Sequence, residues 1–235
     1  MKNVLITGGS RGIGRACVEL FSGAGWRVFF TYEKNSEAAG QVAEDTGAIA
    51  IKCDVTKKSD IEYIAAEIDK FGGRFDCIVN NAGIAEQILF TEIDEQKWDR
   101  MFDVNIKGMY LTTCRFINEM INAHKGSIIN ISSVWGIEGG SCEVHYAASK
   151  AAVIGFTKAL ACEMGPSGIR VNCVAPGVID TDMNSHLSKE DIQALKDETP
   201  LMKIGSAQQV AKTVYFLADD NSFITGEVIK VSGGF

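Results

Sequence analysis

Apolar residues in this chain gather in short, nearly unbroken runs separated by longer helix-like stretches. The runs Val4–Thr7, Val28–Tyr32, Ala48–Cys53, Cys77–Asn80, Ser127–Ser132, Val171–Val174 and Val228–Val231 predict strands. Between them, Arg15–Gly23, Glu37–Glu44, Ser59–Lys70, Gln96–Ala123, Tyr146–Met164 and Ala207–Ala218 predict helices. Strands that are apolar without alternation are buried on both faces. That is the condition of a parallel sheet covered by helices on either side. The pattern therefore predicts an α/β fold, a doubly wound and mainly parallel sheet, in one domain over 1–235. Asp180–Leu201 is the least regular stretch and is expected to form a mobile lid over a site.

Composition narrows the function classes. The net charge of −7 argues against a general nucleic-acid-binding role. No apolar run reaches the roughly 18–20 residues a spanning helix needs. The start, Met1-Lys2-Asn3, leads straight into a strand without signal-peptide anatomy, so a cytoplasmic location is expected. Cys17, Cys53, Cys77, Cys114, Cys142, Cys162 and Cys173 are scattered without a Cys-x-x-Cys pair and read as reduced core thiols. His124, His145 and His186 are equally dispersed, and no metal site is expected.

The first predicted strand runs into Thr7-Gly8-Gly9-Ser10-Arg11-Gly12-Ile13-Gly14, and a helix follows. Gly8, Gly12 and Gly14 remove Cβ atoms where backbone must turn tightly and approach a ligand. The helix start then presents unpaired N–H groups and a positive dipole end to a pyrophosphate. The turn lacks the Gly-Lys-Ser/Thr ending of a nucleoside-triphosphate loop. In an alternating α/β chain it predicts a Rossmann-like dinucleotide site. An acid at the end of the second strand would select NAD(H). Tyr32 stands there instead, while Arg11 and Lys34 are available to pair with a 2′-phosphate. Glu33 is the contrary sign. NADP(H) is the expected cofactor and NAD(H) the alternative.

Tyr146 and Lys150 are four residues apart in a predicted helix, hence on one face. A nearby ammonium favours phenolate and is expected to pull the tyrosine toward neutrality, as suits a proton donor to a carbonyl. With Thr7-Gly8-x-x-x-Gly12-x-Gly14, Asp54-Val55, Asn80-Asn81-Ala82-Gly83, Asn105, Ser133 and Pro176-Gly177, these residues resemble the short-chain dehydrogenase/reductase family along essentially the whole chain.

The resemblance implies roles. Tyr146 would be the acid/base, Lys150 would bind the nicotinamide ribose, and Ser133, rather than Ser132, would hydrogen-bond the substrate oxygen. Asn105 would hold a water in a proton relay to Lys150. Gly8, Ser10, Arg11, Gly12, Ile13, Gly14 and Tyr32 would bind the cofactor. So would Asp54, Val55, Asn81, Ala82 and Gly83, with Pro176, Gly177, Ile179 and Thr181 near the nicotinamide. Within the family the chain is most similar to 3-oxoacyl-(acyl-carrier-protein) reductases. This implies reduction of a 3-oxoacyl thioester in fatty acid synthesis, an acyl carrier protein as partner, and a homotetramer. The other readings are a reductase of another small carbonyl, sugar or hydroxysteroid, and a non-catalytic dinucleotide-binding module. Met183, Leu187, Ile192, Leu195, Leu201 and Met202 in the lid stretch would cover an acyl chain. Trp98, Met101, Phe102, Phe116 and Met120 exceed one sheet-facing stripe and are expected at a pairing surface.

Overall fold

A computed structural model describes residues 1–184, 188–218 and 223–235. Its strands are β1 (Asn3–Ile6), β2 (Arg27–Tyr32), β3 (Ile49–Lys52), β4 (Cys77–Asn80), β5 (Gly126–Ile131), β6 (Ile169–Pro176), β7 (Ile179–Asp180), β8 (Gly205–Ser206) and β9 (Val228–Val231). The helices are α1 (Gly12–Gly23), α2 (Ser36–Thr46), α3 (Lys58–Asp69), α4 (Glu95–Phe102), α5 (Gly108–Ala123), α6 (Trp135–Glu138), α7 (Val144–Met164), α8 (Lys189–Glu198) and α9 (Ala207–Ala218). Seven strands make one sheet in the order β3-β2-β1-β4-β5-β6-β9, and every pairing in it is parallel. β7 and β8 form a separate small pair.

The unalternated strands are buried on both faces, and successive residues serve opposite layers. Val4, Ile6, Val28, Phe30, Cys77 and Val79 pack with α1, α2 and α9. Leu5, Phe29 and Ile78 point the other way, into the layer of α3, α5 and α7. This is the period-2 geometry of a strand read with apolar residues on each side. The order reverses between β1 and β4, and that crevice beyond the strand ends is where doubly wound sheets bind ligands.

Three expectations need correction. The single helix over Gln96–Ala123 is α4 and α5 separated by a π-helical turn, Asp103–Lys107. Asn105, in that turn, sends its amide to the backbone of Ile84, outside the helix. Met101, Phe116 and Met120 are not available for a pairing surface, because each is buried in this chain's own interior. Trp98 is exposed and stacks on Phe102 at 5.0 Å. Of the cysteines, Cys17, Cys53, Cys77 and Cys173 are buried, but Cys114 and Cys162 are exposed on α5 and α7 and are not core thiols.

The lid stretch contains α8, whose start is closed by a reciprocal cap between Ser188 and Asp191. None of its residues is buried, while Met183, Leu201 and Met202 are also exposed. His186 and Leu187 lie outside the described residues. Among the described residues, no helix is long and apolar enough to cross a membrane.

Candidate active site

The Gly-rich turn is assembled by side chains from β1 and β4. The Thr7 hydroxyl accepts from the backbone N–H groups of Asn81 and Ala82, both at 3.0 Å. The Asn81 amide donates to the carbonyls of Thr7 and Gly8, at 2.9 and 3.0 Å. Gly8 has φ +70°, a left-handed conformation that favours glycine. A Cβ on Gly14 would run into the Gly8 carbonyl, so this position has no room for any other residue. The turn delivers the chain into α1, whose first residues carry no side-chain cap. The orphan N–H groups of that helix start are thereby left for a ligand.

A groove of about 800 Å3 opens over this turn. Gly8, Ser10, Arg11, Gly12 and Ile13 form one part of its lining. Tyr32, Asp54 and Val55 line another part, Asn81, Ala82 and Gly83 lie along it, and Thr181 reaches it from beyond β7. Gly14 does not line the groove; it packs beneath the turn. Pro176, Gly177 and Ile179 do not line it either. Ile179 is buried in the core and Gly177 packs on Ser232. The Pro176 carbonyl accepts from the Val134 N–H at 3.0 Å.

The groove also contains residues that sequence reasoning passed over. Thr31, Cys53, Thr56 and Ile84 lie at or just past strand ends, and this position alone would have marked them. Gln96, Asp99, Arg100 and Asp103 come from α4 and the π turn, and in sequence they resemble an ordinary solvated helix face.

Beyond Gly83 the site changes character. A Cβ on Gly83 would stand 3.2 Å from Asn105 Oδ1 and 3.3 Å from Lys150 Nζ, so this glycine is the joint between the groove and a buried polar corner. Ser133, Tyr146, Lys150 and Asn105 are all buried there. The Ser133 hydroxyl lies close enough to the Tyr146 phenol to favour its ionised form. Ser133 Oγ also accepts from the Trp135 N–H at 3.2 Å. Ser132 Oγ is committed elsewhere, to the Lys150 carbonyl at 2.7 Å. Lys150 Nζ donates to the Ile131 carbonyl at 3.0 Å and sits 5.7 Å from the centre of the Tyr146 ring. The Asn105 amide bonds the N–H and carbonyl of Ile84 and the Ser149 hydroxyl, not Lys150.

Electrostatics here run against the sequence expectation. Burial pushes Tyr146 up to about 12, the Ser133 hydroxyl only partly offsetting it and the Glu143 charge adding to it. Burial also pulls Lys150 down to about 8. Removal from water disfavours the charged form of each, and this is the largest cause of both shifts. A second buried network secures the corner. Asn80 donates to Asn130 at 2.8 Å and to Thr113 at 3.0 Å, and Asn130 donates to Thr157 at 2.9 Å. It ties β4 and β5 to α5 and α7. Asn130, Thr113 and Thr157 give no motif signal, because each looks like a stray polar residue in an apolar run.

Residues 8–235 match the family profile described as enoyl-(acyl carrier protein) reductase. The chain is 38% identical to the 3-oxoacyl-(acyl-carrier-protein) reductase of Chlamydia muridarum, covering 99% of this chain and 96% of that protein. It is 40% identical to the same-named enzyme of Aquifex aeolicus, over 98% of this chain and 95% of the relative. Among solved structures, a 3-oxoacyl-(acyl-carrier protein) reductase from Brucella melitensis superposes with a TM-score of 0.92 at 36% identity, over 100% of this chain and 91% of that one. A Brucella melitensis structure titled ribose-5-phosphate isomerase gives the same TM-score, 0.92, at 35% identity over 99% and 92%. ElxO with NADP bound gives 0.91 at 35% identity, over 99% of this chain and 98% of that one.

Proposed function

Because this chain belongs to the short-chain dehydrogenase/reductase family, whose members work with nicotinamide dinucleotides, we propose that it reduces a 3-oxoacyl thioester, carried on an acyl carrier protein, to the 3-hydroxyacyl thioester using NADPH. One observation carries the reading. The groove over the Gly8–Gly14 turn reaches Gly83, and Asn105 and Lys150 stand directly behind that residue, with Lys150 5.7 Å from the Tyr146 ring centre.

The residues present fit a dinucleotide. The uncapped start of α1 and the Gly8 and Gly12 turns, at φ +70° and +53°, make room for a pyrophosphate against backbone N–H groups. Arg11, Tyr32 and Lys34 line the groove beside the adenosine end, where an NADPH 2′-phosphate would meet guanidinium and ammonium groups. The bound nicotinamide supplies hydride to the carbonyl carbon.

The chain's own groups handle the oxygen and the proton. Ser133 and Tyr146 together offer hydroxyl donors to the carbonyl oxygen as its charge grows. Tyr146, held near 12, is protonated at neutral pH and so arrives as an acid. Lys150, near 8, is mostly cationic at that pH and offsets the phenolate left when the proton departs. Exposed Trp98 and Tyr110, on α4 and α5, support assembly into a homotetramer.

The test is a rate comparison with NADPH and NADH on acetoacetyl-CoA, an acyl-carrier-protein thioester and a simple ketone. NADPH and the carrier-bound thioester should give the highest kcat/KM. A preference for NADH removes the role given to Arg11 and Lys34, and a preference for the ketone removes the thioester.

A further inference from the structure

After β4 the chain runs through residues 82–88 without regular secondary structure or a strand partner. Backbone and side chains in such a segment must find other partners, and here they do so at every second residue. The Ile84 N–H donates to Asn105 Oδ1 at 2.9 Å, and the Ile84 carbonyl accepts from Asn105 Nδ2 at 3.0 Å. Glu86 Oε1 accepts from Lys97 Nζ at 2.8 Å, and its Oε2 lies 3.6 Å from His145 Nε2. The Ile88 N–H donates to the Cys142 carbonyl at 2.7 Å. The segment is therefore stitched in turn to the π turn, to α4 and α7, and to the loop that starts α7.

His145 is the unusual stitch. It is 0% exposed, and neither ring nitrogen has a partner within hydrogen-bond distance. A buried polar group left in that state costs about 1–3 kcal/mol, so its presence calls for an explanation. The nearest partner is Glu86 Oε2, and Lys97 holds the other oxygen of the same carboxylate. On the chain, His145 directly precedes Tyr146. On the other side of the contact, Glu86 follows the groove residues Gly83 and Ile84.

We propose that His145 is a positioning residue: by pairing with Glu86 it clamps the 84–88 segment to the first turn of α7 and so sets Tyr146 relative to Gly83 and the groove. The inference rests on Tyr146 being the proton donor. An apolar side chain would fill the same volume without the cost of an unpaired imidazole, so packing alone does not account for a histidine here. Glu86 is oriented for the task, since the Lys97 bond fixes one oxygen and aims the other at His145.

The experiment uses the full chain and four variants: His145→Leu, His145→Gln, Glu86→Ala and the His145→Leu/Glu86→Ala double. The readouts are NADPH-dependent reduction of acetoacetyl-CoA and amide hydrogen exchange of the cofactor-free protein. His145→Leu and Glu86→Ala should each lower kcat about tenfold, with the NADPH KM within about twofold, as expected of misplacement rather than lost binding. The double variant should be no slower than the slower single, because both remove one contact. His145→Gln keeps an N–H donor and should recover to within about threefold of the parent. Exchange should quicken together in residues 84–88 and 144–149. The proposal is overturned by wild-type kcat in Glu86→Ala, whose half-exposed side chain can be removed without opening the core. It is equally overturned by fully multiplicative effects, or by unchanged exchange in both segments. If the unaltered protein does not reduce acetoacetyl-CoA, the proposed function fails, and the exchange measurement still decides the clamp.

Discussion

The two halves of the site, on either side of Gly83, are built from different materials. The groove half is backbone: positive-φ glycines, a helix start, and N–H groups held in place by Thr7 and Asn81. The corner half is side chains: Ser133, Tyr146, Lys150 and Asn105, withdrawn from water and held by hydrogen bonds. Backbone binding needs space and tolerates little added volume. Side-chain chemistry needs burial, and burial moves the ionisation of Tyr146 and Lys150. The first half is thus sensitive to a single Cβ, and the second to a single charge or hydroxyl.

The sharpest way to separate the halves is Tyr146→Phe. Turnover should fall about a thousandfold, in the range of a lost general acid, while NADPH binding measured by fluorescence stays near the parent value. Near-normal turnover would falsify the assignment of the proton donor. A smaller effect of opposite kind is expected for Gly14→Ala. The added methyl meets the Gly8 carbonyl and the Asn81 amide, and overpacking of this kind costs about 1–3 kcal/mol. Cofactor affinity and melting temperature should drop together. Unchanged NADPH affinity in a folded Gly14→Ala protein would mean the turn is not the phosphate cradle.

The smallest expected effect is a difference in pH dependence of stability. Lys150 is depressed from 10.5 to about 8 in the folded chain. Between those values the unfolded chain holds a proton that the folded chain has released, so this group makes stability rise with pH. Buried Cys17 and Cys53, near 12, and Cys173, near 11, work the other way above their unfolded values. The readout is therefore the comparison of denaturant unfolding for the parent and Lys150→Met between pH 8 and 10. The parent should gain roughly 2 kcal/mol relative to the variant over that window. Parallel curves would show that Lys150 is not buried as a strained cation.

How legible each half was follows from its material. The Gly8–Gly14 turn is readable because glycine spacing is a direct record of backbone geometry. Tyr146, Lys150, Ser133 and Asn105 were found through their order and spacing, and the fold does bring them together. The direction of the Tyr146 shift was not legible, since it depends on how completely the surrounding layers exclude water. The interruption between α4 and α5 was hidden for a related reason. Residues on both sides keep a helical pattern, and the Asn105–Ile84 bonds at the break join positions twenty-one apart in the chain. Ile179 has its side chain in the core, and a β-branched residue near a strand end reads the same whether it faces a groove or the core. His145 and Glu86 gave no signal at all, being nearly sixty residues apart and outside any motif.

The π turn at Asp103–Lys107 has a consequence for chain length. A π turn takes up one more residue than an α turn. The extra residue is absorbed locally, so α4 and α5 keep their inward faces while the turn widens around Asn105. Removing one residue would let α4 and α5 close into one regular helix, with Met101 still facing inward, and would take away the turn that seats the Asn105 amide against Ile84. This stretch acts as a ruler: several of its side chains are exchangeable, but its count is not.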